Sequence, residues 1–431
     1  MQQLTEVRQQ VADGKLDEKL IPLLCGDNTK LDAYRTRLLH AIDAFADKFG
    51  EDREIALFSA PGRTELGGNH TDHQRGHVLA GAINLDMIAV VARRQDTLIQ
   101  VQSKGYPLHV ISLDKLQPIP EWQMPHAEDL VRGIAARLVE FGASIPTGFD
   151  AYTTSDVIKG SGLSSSAAYE ILIGTIFNAL YCDNKWSSVQ LAEIGQYAEN
   201  VYYRKPCGLM DQMASSVGGA VAIDFYDKDN PDVHPIDFDF SQTDYALCIV
   251  DTGGNHADLT DEYAAIPKEM KQIASYFGKD VLSQVPEEEM KQSIPALRKA
   301  YGDRAVLRAM HFYQEDRRAV AEATALEADD FGTFLRLVNA SGLSSYCLLQ
   351  NVYAASNPAQ QPAAIALAVG QETLAGRGAL RIHGGGFGGT IQAFVPKDIL
   401  PWFVDRMNQV LGSHHCREIQ IRPVGGYIIL D

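Results

Sequence analysis

No stretch of this sequence approaches the roughly 20 consecutive apolar residues that a bilayer-spanning helix needs. The opening segment, MQQLTEVRQQVADGK, lacks the apolar core of a secretory signal, so a cytoplasmic protein is expected. Cysteine is scarce. The six (Cys25, Cys182, Cys207, Cys248, Cys347 and Cys416) are scattered with no CxxC pair, which points to reduced thiols. Basic residues are in deficit: 38 Lys and Arg face 55 Asp and Glu, a formal charge of -17. A nucleic-acid duplex or an anionic membrane repels such a chain, so the expected partner is a small molecule, on a monomer or weak homo-oligomer. There is no GxxxxGK, which excludes a Walker A loop. No repeat or low-complexity tract stands out. What remains is ordinary globular composition, 45% hydrophobic and 22% charged. At 431 residues the chain exceeds a comfortable single core, and two domains are expected.

The first ~30 residues look helical but are broken by Pro22 and Gly26. Leu31, Tyr34, Leu38, Leu39, Ile42, Phe45 and Phe49 then fall at helical spacing, with Gly50 as a C-cap. Ile55 to Ser59 reads as a short buried strand, and residues 87 to 112 carry further strand signals. A helix is expected at Ala127 to Phe141, a strand at Gly148 to Thr154, and a helix apolar on nearly every face at Ser164 to Tyr181. Ser188 to Tyr202 reads as helix and Ala220 to Phe225 as strand. The polar, Asp- and Pro-rich stretch 227–239 places a boundary between domains 1–230 and 231–431. Beyond it come a strand at Ala246 to Val250 and helices near Tyr263 to Phe277, Arg304 to Glu327 and Phe331 to Leu349. Strands at Ala379 to Ile382 and Thr390 to Val395 flank a glycine cluster; a helix at Asp398 to Leu411 and two strands close the chain. The mixture is α+β, not regularly alternating βαβ.

Four segments carry chemistry. In Gly160-Ser161-Gly162-Leu163-Ser164-Ser165-Ser166-Ala167-Ala168 the glycines allow close backbone approach to an anion, and the start of the helix that follows faces it with free N–H groups. The serines add donors, and a hydroxyl can ligate Mg²⁺. Taken alone, the segment also reads as a capped helix start. Residues 61 to 74, Pro-Gly-Arg-Thr-Glu-Leu-Gly-Gly-Asn-His-Thr-Asp-His-Gln, are dense in groups that hydrogen-bond hydroxyls, as a sugar requires. Arg63 suits developing phosphate charge. A metal site on His70, Asp72, His73 and His77 is the rival there, and its spacing fits no compact zinc pattern. Glu199 and Asp211 flank a basic segment. They read as a surface ion-pair patch or, in a kinase, as a metal ligand and a group that orients the attacking hydroxyl. Gly384-Gly385-Gly386-Phe387-Gly388-Gly389 has more glycine than a hairpin needs and suits close approach to a ligand.

Together, in this order and spacing from about Ala60 onward, these segments resemble the galactokinase branch of the GHMP kinases. The resemblance implies a two-domain α+β GHMP kinase fold with the active site in the interdomain cleft. It implies ATP and Mg²⁺ as cofactors and transfer of phosphate to the anomeric hydroxyl of a galactose-like sugar. By position, Gly160, Ser161, Gly162, Leu163, Ser164, Ser165, Ser166 and Ala167 would wrap the ATP phosphates, with Ser166 and Glu199 on the metal. Asp211 would be the catalytic aspartate and Arg63 would stabilise transferred charge. Asn69, His70, Asp72, Gly208 and Tyr263 match positions that contact the sugar.

The chain departs from the family pattern in three places. The family usually reads Asn-Leu-Ile-Gly-Glu-His-Thr-Asp-Tyr where this chain reads Glu65-Leu66-Gly67-Gly68-Asn69-His70-Thr71-Asp72-His73. The family glutamate contacts the C6 side of the sugar. Neutral Asn69 in its place would no longer repel a C6 carboxylate, which keeps galacturonate beside galactose as a candidate substrate. The aromatics that flank the adenine are replaced by Ala127 and Leu130. Arg-Asp-Asp-Tyr-Glu-Val-Ser is replaced by Leu348-Leu349-Gln350-Asn351-Val352-Tyr353-Ala354. A non-catalytic sugar and ATP sensor and a metallohydrolase are the alternatives from other classes.

Overall fold

Leu31–Phe49 forms a helix that Gly50 ends at φ 96°, and its stripe of Tyr34, Leu38, Ala41, Ile42 and Phe45 is buried. Its partners become visible only in three dimensions. The computed structural model describes residues 1–157, 162–205, 207–227, 230–254 and 259–431. Among them run thirteen strands: β1 (Gln2–Gln3), β2 (Glu54–Gly67), β3 (His77–Arg93), β4 (Leu98–Ser103), β5 (Leu108–Ser112), β6 (Phe149–Ser155), β7 (Ala220–Asp224), β8 (Asp232–Ile236), β9 (Tyr245–Asp251), β10 (Ala379–Ile382), β11 (Thr390–Pro396), β12 (Cys416–Ile419) and β13 (Tyr427–Leu430).

The first sheet runs β1-β2-β3-β6-β4-β5, with β13 added on β2 and β7 then β8 on the other part of β3. Long β3 serves both: His77–Gly81 pairs with β7 and Met87–Arg93 with β6. The second sheet is β10-β11-β9-β12, antiparallel throughout. Alternation along β2 and β3 sorts the core. Ala56, Phe58, Ala89 and Val91 face helices Ala127–Glu140, Ser165–Tyr181 and Met210–Val217. Ile55, Leu57, Ile88 and Val90 face Leu4, Val7, Leu20, Leu38 and Phe45 of the N-terminal helices. The N-terminal extension is therefore the layer that covers one face of the first sheet. Each such side chain contributes about 1.5–3 kcal/mol by leaving water.

Several expectations change. The short strand at Ile55 to Ser59 extends to Gly67, because residues 61 to 67 stay paired with β3 through bulges at Pro61/Arg63 and Glu65/Gly67. That segment is buried throughout, so no alternation marks it as a strand. Helices Glu287–Gln292, Ile294–Tyr301 and Pro362–Leu374 had no expected counterpart. The helices at 188 and 331 each end in one π turn, Ala198–Tyr202 and Ser345–Leu349. Such turns gather at functional positions; the first carries Glu199 and the second leads to Asn351. The boundary expected after residue 230 lies between β7 and β8, yet these pair with each other, and β13 returns from the chain's end to β2. Helix Asp303–Glu327 packs on β3 and on helices Thr260–Tyr276 and Phe331–Ser344, tying the two parts together.

Candidate active site

The bulge at Pro61/Arg63 bends β2 as it meets the loop before helix Ser165–Tyr181, and bulges re-aim side chains. A methyl on Gly62 would lie 2.7 Å from the Leu163 carbonyl, so strand and loop meet backbone to backbone. The Arg63 amide donates to that carbonyl at 3.1 Å. Gly162 and Ser164 hold φ of 72° and 55°, the left-handed values that turn the loop into the helix. The first-turn N–H groups have no acceptor within the helix and point out of its end. Leu163 and Ala167 are buried, and Ser165 and Ser166 half-buried. Gly160 and Ser161 lie outside the described residues.

Arg63 is buried beneath this loop. Its Nε donates to Asp211 Oδ1 at 2.7 Å, and Nη1 donates to the Gly162 carbonyl. Asp211 sits in the first turn of helix Met210–Val217, and its second oxygen accepts from Ser164 Oγ. Burial favours the neutral acid. The Arg63 charge and the bonds from Arg63 and Ser164 outweigh it and hold Asp211 below the ordinary carboxylate range. Ionised Asp211 therefore stands at the loop's end, with 31% of its side chain exposed.

Behind it, the Gln212 amide nitrogen donates to both Glu199 Oε2 and Glu170 Oε2 at 2.9 Å. Lys205 Nζ holds the other Glu199 oxygen at 2.8 Å. Burial, then the neighbouring Glu199, push Glu170 well above the carboxylate range, so it is the protonated member of the group. Ser166 Oγ has no hydrogen-bond partner among the described residues. Sequence reasoning passed over Glu170, Lys205 and Arg204. Arg204 donates to the carbonyls of Ile119, Pro120, Glu121 and Gln123, pinning a loop on which Trp122 is 85% exposed. Leu130 lies in the core instead.

Opposite Asp211 stand the groups expected to meet a sugar. His70 Nε2 donates to the Gly385 carbonyl at 3.2 Å. Nδ1 is then a bare acceptor, buried and without a partner among the described residues. Burial, then His73, push His70 down to about 3, so it stays neutral. The Tyr263 ring packs 5.4 Å from His70 and is so close to Gly385 that a methyl there would lie 2.4 Å from it. Burial, then the charges of Asp72 and Asp211, raise the Tyr263 phenol. Asp72 Oδ1 accepts from the His73 amide, and Oδ2 faces Gly208, where a methyl would lie 2.3 Å away. Asn69 is different: it is fully buried and its side chain is bonded to Glu65, Gly384, Ser345 and Asn351.

The glycine turn closes this space from the second sheet. A methyl on Gly162 would lie 3.2 Å from Thr390 Oγ1 and 3.4 Å from His383 Nδ1, at the end of the turn. His383 Nε2 accepts from the Glu65 amide at 3.1 Å, which fixes its proton on Nδ1, toward Thr390. Gly386 at φ 80° passes the Asn351 carbonyl, and no side chain fits there. The His70, Asp72 and His73 groups do not form a metal cluster among the described residues.

The chain is similar to known proteins. A galactokinase galactose-binding signature matches residues 43–93, and the GHMP kinases N-terminal domain matches residues 129–219. The galactokinase of Actinobacillus pleuropneumoniae serotype 5b is 30% identical over 385 residues, covering 89% of this chain and 94% of the relative. This chain belongs to the galactokinase family. A Streptomyces coelicolor galactokinase is 30% identical over 81% of this chain and 86% of its own. The Lactococcus lactis galactokinase solved with galactose superposes with a TM-score of 0.75 at 25% identity, over 90% of this chain and 99% of that one. The Leishmania major mevalonate kinase, at 15% identity and TM-score 0.59, shares the fold. As a galactokinase-family protein, the chain is an ATP-dependent sugar phosphotransferase with the α+β GHMP kinase fold. No helix among the described residues is long and apolar enough to cross a membrane.

Proposed function

We propose that this galactokinase transfers the γ-phosphoryl group of ATP to the anomeric hydroxyl of galactose, with Asp211 and Arg63 as its catalytic residues. The observation that carries the reading is the Arg63–Asp211–Ser164 cluster, which joins the phosphate loop to the space walled by His70, Asp72 and Tyr263. Asp211 accepts the anomeric O–H. The sugar oxygen forms the new P–O bond, the β–γ bridging oxygen leaves with ADP, and the proton passes to Asp211. An aspartate held this acidic is a weak base, so it orients the hydroxyl first and takes the proton as the new bond forms. Buried Arg63 is fixed in place and offsets charge gathering on the phosphoryl oxygens. Gly162 to Ala167 supply the cradle on the loop; Gly160 and Ser161, expected to share it, lie outside the described residues. His70 Nδ1, Asp72 and the Tyr263 hydroxyl take sugar hydroxyls.

The Ser166 hydroxyl, without a partner among the described residues, and the Glu199 carboxylate offer oxygen ligands of the kind Mg²⁺ takes. There the ion would neutralise phosphate charge, with Lys205 moving off the Glu199 oxygen it now holds.

The test is an ATP-coupled assay over galactose, galacturonate, N-acetylgalactosamine, glucose and arabinose, with product read by phosphorus NMR. Galactose 1-phosphate is the expected main product; bound sugar and ATP without any product would overturn the reading. Gly208→Ala gives a finer check. Its methyl displaces the Asp72 carboxylate while the backbone needs no left-handed φ. KM for galactose should rise about tenfold, the worth of one bond to a charged group, with the melting temperature close to wild type.

A further inference from the structure

The family pattern has asparagine first and glutamate fifth in its nine-residue motif; here Glu65 is first and Asn69 fifth. The two side chains touch, with Asn69 Nδ2 donating to Glu65 Oε1 at 3.0 Å. The pair has exchanged places and kept one carboxylate and one carboxamide in contact. We propose that Glu65 is the specificity-determining residue of the sugar site, receiving the C6 hydroxyl of galactose on its free oxygen. This rests on the galactose 1-kinase reading above.

Asn69 has no capacity left for a sugar. Nδ2 donates to Glu65 and to the Gly384 carbonyl at 2.7 Å; Oδ1 accepts from Asn351 Nδ2 at 2.9 Å and Ser345 Oγ at 3.3 Å. That uses both donors and both lone pairs of the amide. Glu65 is the opposite case. Oε1 takes Asn69 and Arg381 Nη2, the latter at 2.9 Å. Oε2 has no partner among the described residues, and unlike Oε1 of Glu170 it is not sealed from solvent. A buried carboxylate with one oxygen anchored and one open is built to receive a donor.

Its position suits the far end of the sugar. Arg63 and Glu65 are two residues apart on β2 in unbroken register with Ala82 and Ala80, so they share a face. Two strand residues span about 6.6 Å, close to the length of a hexose from its anomeric oxygen to its C6 oxygen. A sugar whose first hydroxyl meets Asp211 beside Arg63 therefore carries its last toward Glu65. Burial pushes the Glu65 carboxyl above its usual range, while Arg381, Arg63 and the Asn69 bond favour its charged form.

A second departure from the family pattern supports the exchange. Asn351 lies in the segment that replaces Arg-Asp-Asp-Tyr-Glu-Val-Ser, and it donates to Asn69 Oδ1 across 282 residues of sequence. Glutamate at 69 would set a carboxylate oxygen against the Gly384 carbonyl and against Glu65. The substitutions are coupled, and the negative charge absent at residue 69 is present at 65. Galacturonate would meet that charge with its own.

The test is calorimetric binding of galactose and 6-deoxygalactose to the full chain, with turnover measured in parallel. Wild type should bind galactose about ten- to a hundredfold tighter than 6-deoxygalactose. Glu65→Gln should weaken galactose binding about tenfold and leave 6-deoxygalactose binding unchanged. Arg381 retains Glu315 at 3.9 Å, so this variant keeps a buried charge partner. Asn69→Glu should be strongly impaired, and Glu65→Asn/Asn69→Glu should recover galactose binding. Equal loss for both sugars in Glu65→Gln, or a double exchange no better than Asn69→Glu, overturns the proposal. Wild type that phosphorylates galactose yet binds both sugars equally overturns it alone; wild type that phosphorylates no galactose overturns the kinase reading and the proposal together.

Discussion

Asp211→Asn should lower kcat about a thousandfold, within the range that a positioned acid–base group contributes, while the Kd for galactose changes only a few-fold. Asparagine keeps the shape of the side chain; its Oδ1 can still accept from Arg63, while its Nδ2, in place of Oδ2, donates to the Ser164 hydroxyl instead of accepting from it. What disappears is the charge that orients the anomeric hydroxyl and receives its proton. The substitution also leaves the Arg63 guanidinium, 7% exposed, without its carboxylate. Some loss of melting temperature is therefore expected as well, and it separates from the catalytic loss by measuring single-turnover rates well below the melting transition. In Arg63→Met/Asp211→Asn the second change should cost far less than in the wild-type background, because the two groups act as a unit. Turnover unchanged in Asp211→Asn would remove Asp211 from the chemistry.

The groups proposed to carry the phosphoryl transfer were legible because they sit in short linear motifs whose composition has few other uses. Arg63, the turn with Gly162 and Ser164, and Asp211 are distant in sequence, yet each motif announces itself by glycine or by clustered polar residues. Glu65 was harder to see as functional. A carboxylate inside a strand buried on both faces gives no periodic signal, and its meaning rests on Arg381 and Asn69 beside it. Asn69 looked like the sugar contact for the complementary reason: position in the motif is visible in sequence, whereas saturation of a side chain's hydrogen bonds is not. Lys205 and Arg204 read as surface charge, and their partners, Glu199 and the carbonyls of 119 to 123, lie in other segments.

The fold was legible where one face of an element is wet. Helix Leu31–Phe49 carries an apolar stripe, and its limits matched its spacing. Helix Ser165–Tyr181 was the exception, recognisable by having no polar face. β2 beyond Ser59 is buried on both sides, and β13 pairs with β2 from the far end of the chain, so neither leaves a local trace. The N-terminal helices are short and broken, and their role follows only from the alternating residues of β2 and β3 that they cover.

Asp86→Asn should cost about 3–5 kcal/mol of unfolding free energy, the usual penalty for breaking a buried ion pair from one side. Asp86 is 1% exposed in β3 and joins three distant pieces of chain. Tyr34 Oη donates to its Oδ2 at 2.6 Å and Arg37 Nη1 to its Oδ1, both from helix Leu31–Phe49. Arg422 Nη1 donates at 3.1 Å from the segment before β13, and Ser59 Oγ donates from β2. Asparagine would leave Arg422, wholly buried, without a counter-charge, and Arg37 with only Asp156, 3.0 Å away. Burial favours protonated Asp86, but Arg37 and Arg422 outweigh it and hold the group below its ordinary value of 3.8. The sign follows from that depression. The unfolded chain binds the proton more readily, so the stabilisation is complete above 3.8 and is lost as pH falls through the lower folded value. Guanidinium unfolding of wild type and Asp86→Asn should thus show a constant gap at neutral pH that narrows only below 3.8. A gap already closing near pH 6 would mean that a histidine, not this carboxylate, controls the junction. The gap should also shrink in an Arg422→Met background, because the charge that Asp86 neutralises has gone. Kinase activity of Asp86→Asn under folding conditions should stay near wild type, since Asp86 binds the covering helix and the chain's end to the sheet and touches none of the groups around Asp211.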